Sequence, residues 1–149
     1  MAVMRWTHEQ FSEMSWHDNH VHALRVVEGP HGTGELILDL DYILEWMNEP
    51  GGYKFKIVPA VLKFVGVSDL RLSLDYATPT AALGPFSIHS IHRHTESRER
   101  YVAEIWMISI NWPKGEITFE AKGYEQNATA AAVVSDSQYL RPAERNHRA

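Results

Sequence analysis

Apolar and polar positions alternate with a period of two over most of this chain, which is the pattern of half-buried strands. Leu70-Arg71-Leu72-Ser73-Leu74-Asp75-Tyr76 sets the leucines and the tyrosine on one face and polar side chains on the other. Glu116 to Lys122 alternates as cleanly, and Asn111-Trp112-Pro113-Lys114-Gly115 places turn residues between it and the apolar run Tyr101 to Ile110, which predicts a hairpin. A second hairpin is predicted where Val21 to Glu28 and Glu35 to Trp46 flank Gly29-Pro30-His31-Gly32-Thr33-Gly34. Tyr53 to Val58 and Val61 to Val67 read as separate strands, because Pro59 lacks an N–H and belongs at an edge, bend or strand end. Phe86 to Thr95, after the small-residue connection Ala77 to Pro85, is a further strand rich in histidine.

About eight strands at short spacing predict one all-β domain, an antiparallel sandwich or flattened barrel with little helix. Thr7 to Met14 and Ala128 to Leu140 are the best helix candidates, and neither carries an apolar stripe. The β domain is expected over residues 1–127, with 1–15 as an N-terminal segment and 128–149 as a loosely ordered tail. A length of 149 residues with 44% apolar composition suits a single core of this kind.

Composition narrows the partners. The net charge is −5, and the last nine residues hold Arg141, Arg145 and Arg148 against Glu144, so the acidity lies in the rest of the chain. Such a body repels phosphate backbones, which argues against nucleic acid. With no cysteine, disulfides and thiolate metal sites are excluded, in keeping with a reducing cytoplasm. No stretch approaches the roughly 18 apolar residues of a membrane span, and Met1 to Phe11 has no signal-peptide core. A soluble cytoplasmic protein without a membrane partner is expected.

Four segments carry a resemblance: Trp16-His17-Asp18; Asp39-Leu40-Asp41-Tyr42-Ile43-Leu44-Glu45-Trp46; Pro59 to Phe64 with Val67-Ser68-Asp69-Leu70; and Gly115 to Tyr124. Over Trp16 to Tyr124 the chain resembles a family of small bacterial β-rich proteins of unknown function. Some relatives of that family resemble immunity proteins of polymorphic toxin systems. The resemblance implies a small β-domain and a bacterial origin, and supplies no catalytic residues.

The chemistry concentrates in Trp16-His17-Asp18-Asn19-His20-Val21-His22. On a strand, residues two apart share a face, so Asp18, His20 and His22 are placed to offer one carboxylate and two imidazoles. With His17, and a further ligand from Asp39, Asp41, His89, His92 or His94, they form a candidate site for one divalent transition metal such as Zn, Mn or Fe. Solvent-facing or hydrogen-bonded histidines are the simpler alternative. Asp39 and Asp41 share a face with Glu35, opposite Leu36, Leu38, Leu40 and Tyr42. That acidic line is placed either to bind a hard cation or act as an acid/base pair, or to form a solvated face paired across the hairpin with Lys54 and Lys56. His89 to His94 forms a second imidazole cluster and reads as a hydrated connection. No Gly-x-Ser-x-Gly elbow or phosphate-binding Gly-Lys-Ser/Thr loop is present, so these catalytic classes find no support.

Five tryptophans and six tyrosines are a heavy aromatic load, and those facing solvent are natural anchors for a protein partner. The leading expectation is a non-enzymatic, immunity-like module without cofactor, whose acidic sheet face, with Asp39, Asp41, Glu45 and Trp46, meets a basic protein. The alternative is a metal-binding protein or metal-dependent hydrolase using His17, Asp18, His20 and His22. A third is a self-associating module, since exposed strand edges pair into homodimers.

Overall fold

The computed structural model describes residues 4–77 and 82–145. In chain order the strands are β1 (Arg5–Thr7), β2 (His20–Glu28), β3 (Gly34–Glu49), β4 (Gly52–Leu74), β5 (Phe86–Ser97), β6 (Val102–Trp112), β7 (Gly115–Glu120), β8 (Gly123–Ala128) and β9 (Val133–Ser135), followed by a single helical turn, α1 (Pro142–Arg145). All pairings are antiparallel. They run β4–β3–β2–β5–β6–β7 and return to β4, so the sheet closes on itself as a ring. Both expected hairpins form, β2–β3 and β6–β7, as the glycine-rich and Pro113-Lys114 turns require. The narrow place in the ring is β2–β5, registered at His20–Ser87 and Val21–Phe86, with Asp18 and Asn19 just before β2 also bonding the Ile88 backbone at 2.8 Å.

The stretch read as three strands is one, β4, of 23 residues. Along one edge it keeps β3 as neighbour, and along the other it changes partner from β9 at residues 55–57, to β8 at 60–65, to β7 at 68–74. Pro59 falls in the gap between β9 and β8, where that edge has no ladder to lose, and its carbonyl accepts the Thr129 N–H at 2.8 Å. Gly66 (φ 63°) and Asp69 (φ 51°) flank the next change of partner. Their left-handed conformation bends the strand so that it both lies beside β3 and reaches β7.

The ring's inner face is the core. Leu36, Leu38, Leu40 and Tyr42 of β3 meet Val58, Ala60, Leu62 and Phe64 of β4, with Trp106 and Ile108 of β6 and Ile117 and Phe119 of β7. Phe64 sits edge-on to Trp106 at 5.2 Å and to Phe119 at 4.7 Å. Residues 8–13 form a 3₁₀ helix, not the α-helix considered for Thr7 to Met14, with Thr7 and Gln10 making a reciprocal capping box. This helix carries Phe11 onto the core, and Trp16 beyond it is buried, its indole N–H donating to Gln126 Oε1 at 2.8 Å.

The C-terminal segment differs from the loosely ordered tail expected from residue 128. Ala128 ends β8, β9 pairs with β4, and Leu140 is 1% exposed. No helix forms over Ala128–Leu140, because these residues follow the edge of β4. The reason lies on the outer face of β3, where Asp41 is buried as fully as the inner leucines and Ile43 is buried beside it, so that both need a cover.

Candidate functional site

Two adjoining regions on the outer side of β2, β3 and β4 contain the candidate residues. β-Bulges decide which side chains meet there. In β2 the register passes from Val21–Leu40 to Ala23–Asp39, so His22 is an inserted residue. His20 is registered opposite Asp41, which puts His20 on the outer face, and the bulge adds His22 to the same side. In β3 the register passes from Ile43–Ile57 to Glu45–Lys56, so Leu44 is the extra residue. The outer face therefore changes from odd to even numbers: Asp39, Asp41 and Ile43 are followed on that side by Trp46, whose register partner is Phe55.

In the first region the two aspartates are clamped. The Asp41 side chain is fully buried. One oxygen accepts from His22 Nε2 and the Leu140 backbone N–H, both at 2.7 Å, and the other from Arg145 Nε at 2.8 Å. The same guanidinium donates to Asp39 at 2.8 and 3.2 Å and to the Leu40 carbonyl at 3.1 Å, so one arginine spans two carboxylates and a backbone oxygen. Burial works to raise the Asp41 pKa, but the hydrogen bonds from His22, Leu140 and Arg145 outweigh it and hold the carboxyl below its usual range. Burial also opposes the charge on Arg145, and Asp39 and Asp41 more than offset it. Beside the clamp, Leu140 packs with Ile43, Phe55 and Ile57. Tyr139 stacks on His20 with ring centres 4.4 Å apart, and burial lowers the His20 pKa.

The second region is open. Trp46 and Tyr53, at the end of the β3–β4 hairpin, are 44% and 57% exposed, with ring centres 6.3 Å apart. Phe55 supports the Trp46 ring edge-on at 5.0 Å, and His17 lies parallel to it at 6.3 Å. His17 is itself held by Nδ1–H donation to the His89 carbonyl at 3.1 Å.

These placements correct the acidic face expected from the sequence. Asp41 is out of solvent, and Asp39, whose side chain stays 41% exposed, is engaged by Arg145 through both carboxylate oxygens. Glu45 is exposed but leaves the face of Asp39 and Asp41 because of the bulge at Leu44. Trp46 is exposed on the outer side. The pairing of the acids with Lys54 and Lys56 does not occur either: Asp39 lies opposite Val61 and Asp41 opposite Pro59, while Lys54 bonds Asp136 at 2.7 Å.

The proposed metal ligands separate into pairs. Asp18 (φ 62°) lies in a turn before β2, so the period of two does not reach it. Its carboxylate accepts from Asn111 at 2.9 Å and Gln138 at 3.0 Å, with His17 Nε2 3.6 Å away. His20 Nδ1–H donates to the Asp18 carbonyl at 3.0 Å, and His22 turns to Asp41. Among the described residues no group of three His, Asp or Glu side chains is arranged to hold a metal ion.

Leu140 and Arg145 are the residues that strand patterning missed. The signal for them is the positive surplus of the C-terminal residues against an acidic body. The arrangement can grip a guanidinium and present a rigid aromatic surface, and it contains no nucleophile–base pair. Comparison with protein-family models, curated proteins and solved structures finds no match to this chain.

Proposed function

We propose that the protein is a non-enzymatic binding module that meets a basic protein partner through the aromatic patch of Trp46, Tyr53 and His17, in the manner of an immunity protein. The observation that carries this reading is the exposure of Trp46 and Tyr53 side by side at a hairpin end, with Phe55 and His17 holding the indole in place. Tryptophan and tyrosine dominate interface hot spots because they bury large area with few torsions to freeze. The net charge of −5 favours encounter with a cationic surface.

The test is a photoreactive phenylalanine analogue at position 53 in cells of the source organism, followed by mass spectrometry of the adducts. The reading expects one basic protein, whose affinity for the purified chain falls by about 2 kcal/mol in Trp46→Ala and declines with salt. Adducts that Trp46→Ala leaves unchanged in yield would sink it.

A further inference from the structure

Among the described residues, those beyond Ser135 form no further strand pairing. Residues 138–145 are a strap held to the sheet almost wholly through side chains of the sheet: Gln138 on Asp18, Tyr139 on His20, the Leu140 N–H on Asp41, and Arg145 on Asp39 and Asp41. Beneath it lies a built site. It comprises a fully buried carboxylate, a second carboxylate at 2.8 Å from the same guanidinium, and an apolar hole formed by Ile43, Phe55 and Ile57. Phe55 lies on both sides of the boundary, since it also supports the exposed Trp46 ring. The covered groove is thus continuous with the open patch.

We propose that the strap is an intramolecular stand-in for a partner segment, and that the groove it covers binds an extended basic peptide presenting a leucine and an arginine spaced as Leu140 and Arg145 are. The inference rests on the reading above that the partner is a basic protein. The chemistry of the occupant follows from what fills the groove now. Two carboxylates and a carbonyl arranged around one guanidinium select arginine over lysine, because only the planar fork reaches all three acceptors. The hole beside them takes one branched aliphatic side chain. A segment held in this way opens locally at lower cost than the middle of β4, which is paired with β3 on one edge and β8 on the other. A cleft of about 330 Å³ between the strap and the Gly84-Pro85 connection, lined by His22, Leu83, Pro142 and Arg145, gives an incoming chain access to the arginine end.

When the site is covered in most molecules, the apparent affinity for a competing peptide is reduced by the open fraction, and loosening the strap restores it. The probe is a fluorescein-labelled synthetic peptide of residues 137–148 titrated into the full-length protein. Arg145→Ala and Leu140→Ala proteins are expected to bind it at least about tenfold more tightly than wild type. A peptide lacking its own arginine at position 145 is expected to bind neither. Near-ultraviolet circular dichroism from Trp106 and Trp16 checks that each variant keeps its core. Hydrogen exchange on the unaltered protein supplies a measurement free of variants: the Leu140 amide is expected to exchange at least about a hundredfold faster than that of Leu62. Equal peptide affinity in wild type and folded variants, or equal protection of Leu140 and Leu62, would overturn the proposal. The titration reads only the groove and cross-linking at position 53 reads only the open patch, so the two readings fail separately.

Discussion

Two stretches of β3, three residues apart, meet opposite fates. Around Asp39–Ile43 the outer face is roofed by the C-terminal strap, and Asp41 is as buried as any core leucine. Around Trp46 the same side of the same strand is open, and a large indole stands in solvent on Phe55. Hydrophobicity does not explain the difference, since the covered stretch is charged and the open one aromatic. What separates them is the supply of partners. A buried carboxylate persists only where enough donors converge, and the strap brings an amide and a forked guanidinium to Asp41 in addition to His22. Trp46 needs no donors, and lies past the point where the strap leaves the sheet. Polar residues on a strand are therefore a poor guide to its exposed face when a distant segment carries the complementary charge.

The comparison is broken most severely by Asp41→Ala. Removing the shared acceptor takes one of two carboxylates from Arg145 and leaves the Leu140 amide and His22 without their partner, and a loss of about 3–5 kcal/mol is expected in urea unfolding. Leu140→Ala empties the hole between Ile43, Phe55 and Ile57 and is expected to cost about 2 kcal/mol, near the low end for a buried leucine because the strap can leave.

Acid should loosen the strap without any substitution. Burial keeps the His20 pKa below its ordinary 6.5, so its stabilising contribution is complete above that value and declines as pH falls beneath it. Asp41 is held below its ordinary 3.8, so its contribution is present above that value and is lost as pH falls through the lower folded one. Exchange of the Leu140 amide followed against pH is expected to accelerate in these two stages, and His20→Asn should remove the upper one.

In the open region the effects are small. Trp46→Ala forfeits its contacts with Phe55 and His17 and is expected to cost about 1 kcal/mol, while Glu45→Ala should stay within about 0.5 kcal/mol. A stability loss at Glu45 comparable to that at Asp41 would show that the two stretches are not distinct.

Much of the architecture is legible in the alternation of particular residues. Leu36, Leu38, Leu40 and Tyr42 are inward and Asp39 and Asp41 outward, as the period of two requires, and Asn111 to Gly115 turns between β6 and β7. His20 and His22 do share a face. The site is less legible, because single-residue insertions reverse a pattern that is itself regular. Nothing about Leu44 marks it as a bulge, yet that one residue removes Glu45 from the aspartates' side and puts Trp46 there. Pro59, a breaker by local rules, is tolerated in mid-strand because it has no register partner on that edge, where its carbonyl still accepts the Thr129 N–H and no N–H is called for.

By itself the sequence determined the all-β class, the two hairpins, and the inward and outward faces of β3 as far as Ile43, since these depend on side-chain period and turn chemistry within a few residues. Only the tertiary structure decided that the sheet closes through a 23-residue β4, and that Asp41 is buried while Trp46 is not. Those outcomes rest on pairings between segments as far apart as Asp41 and Arg145. Whether a charge lies in water or against a guanidinium depends on which distant segment reaches it, and local pattern carries no record of that.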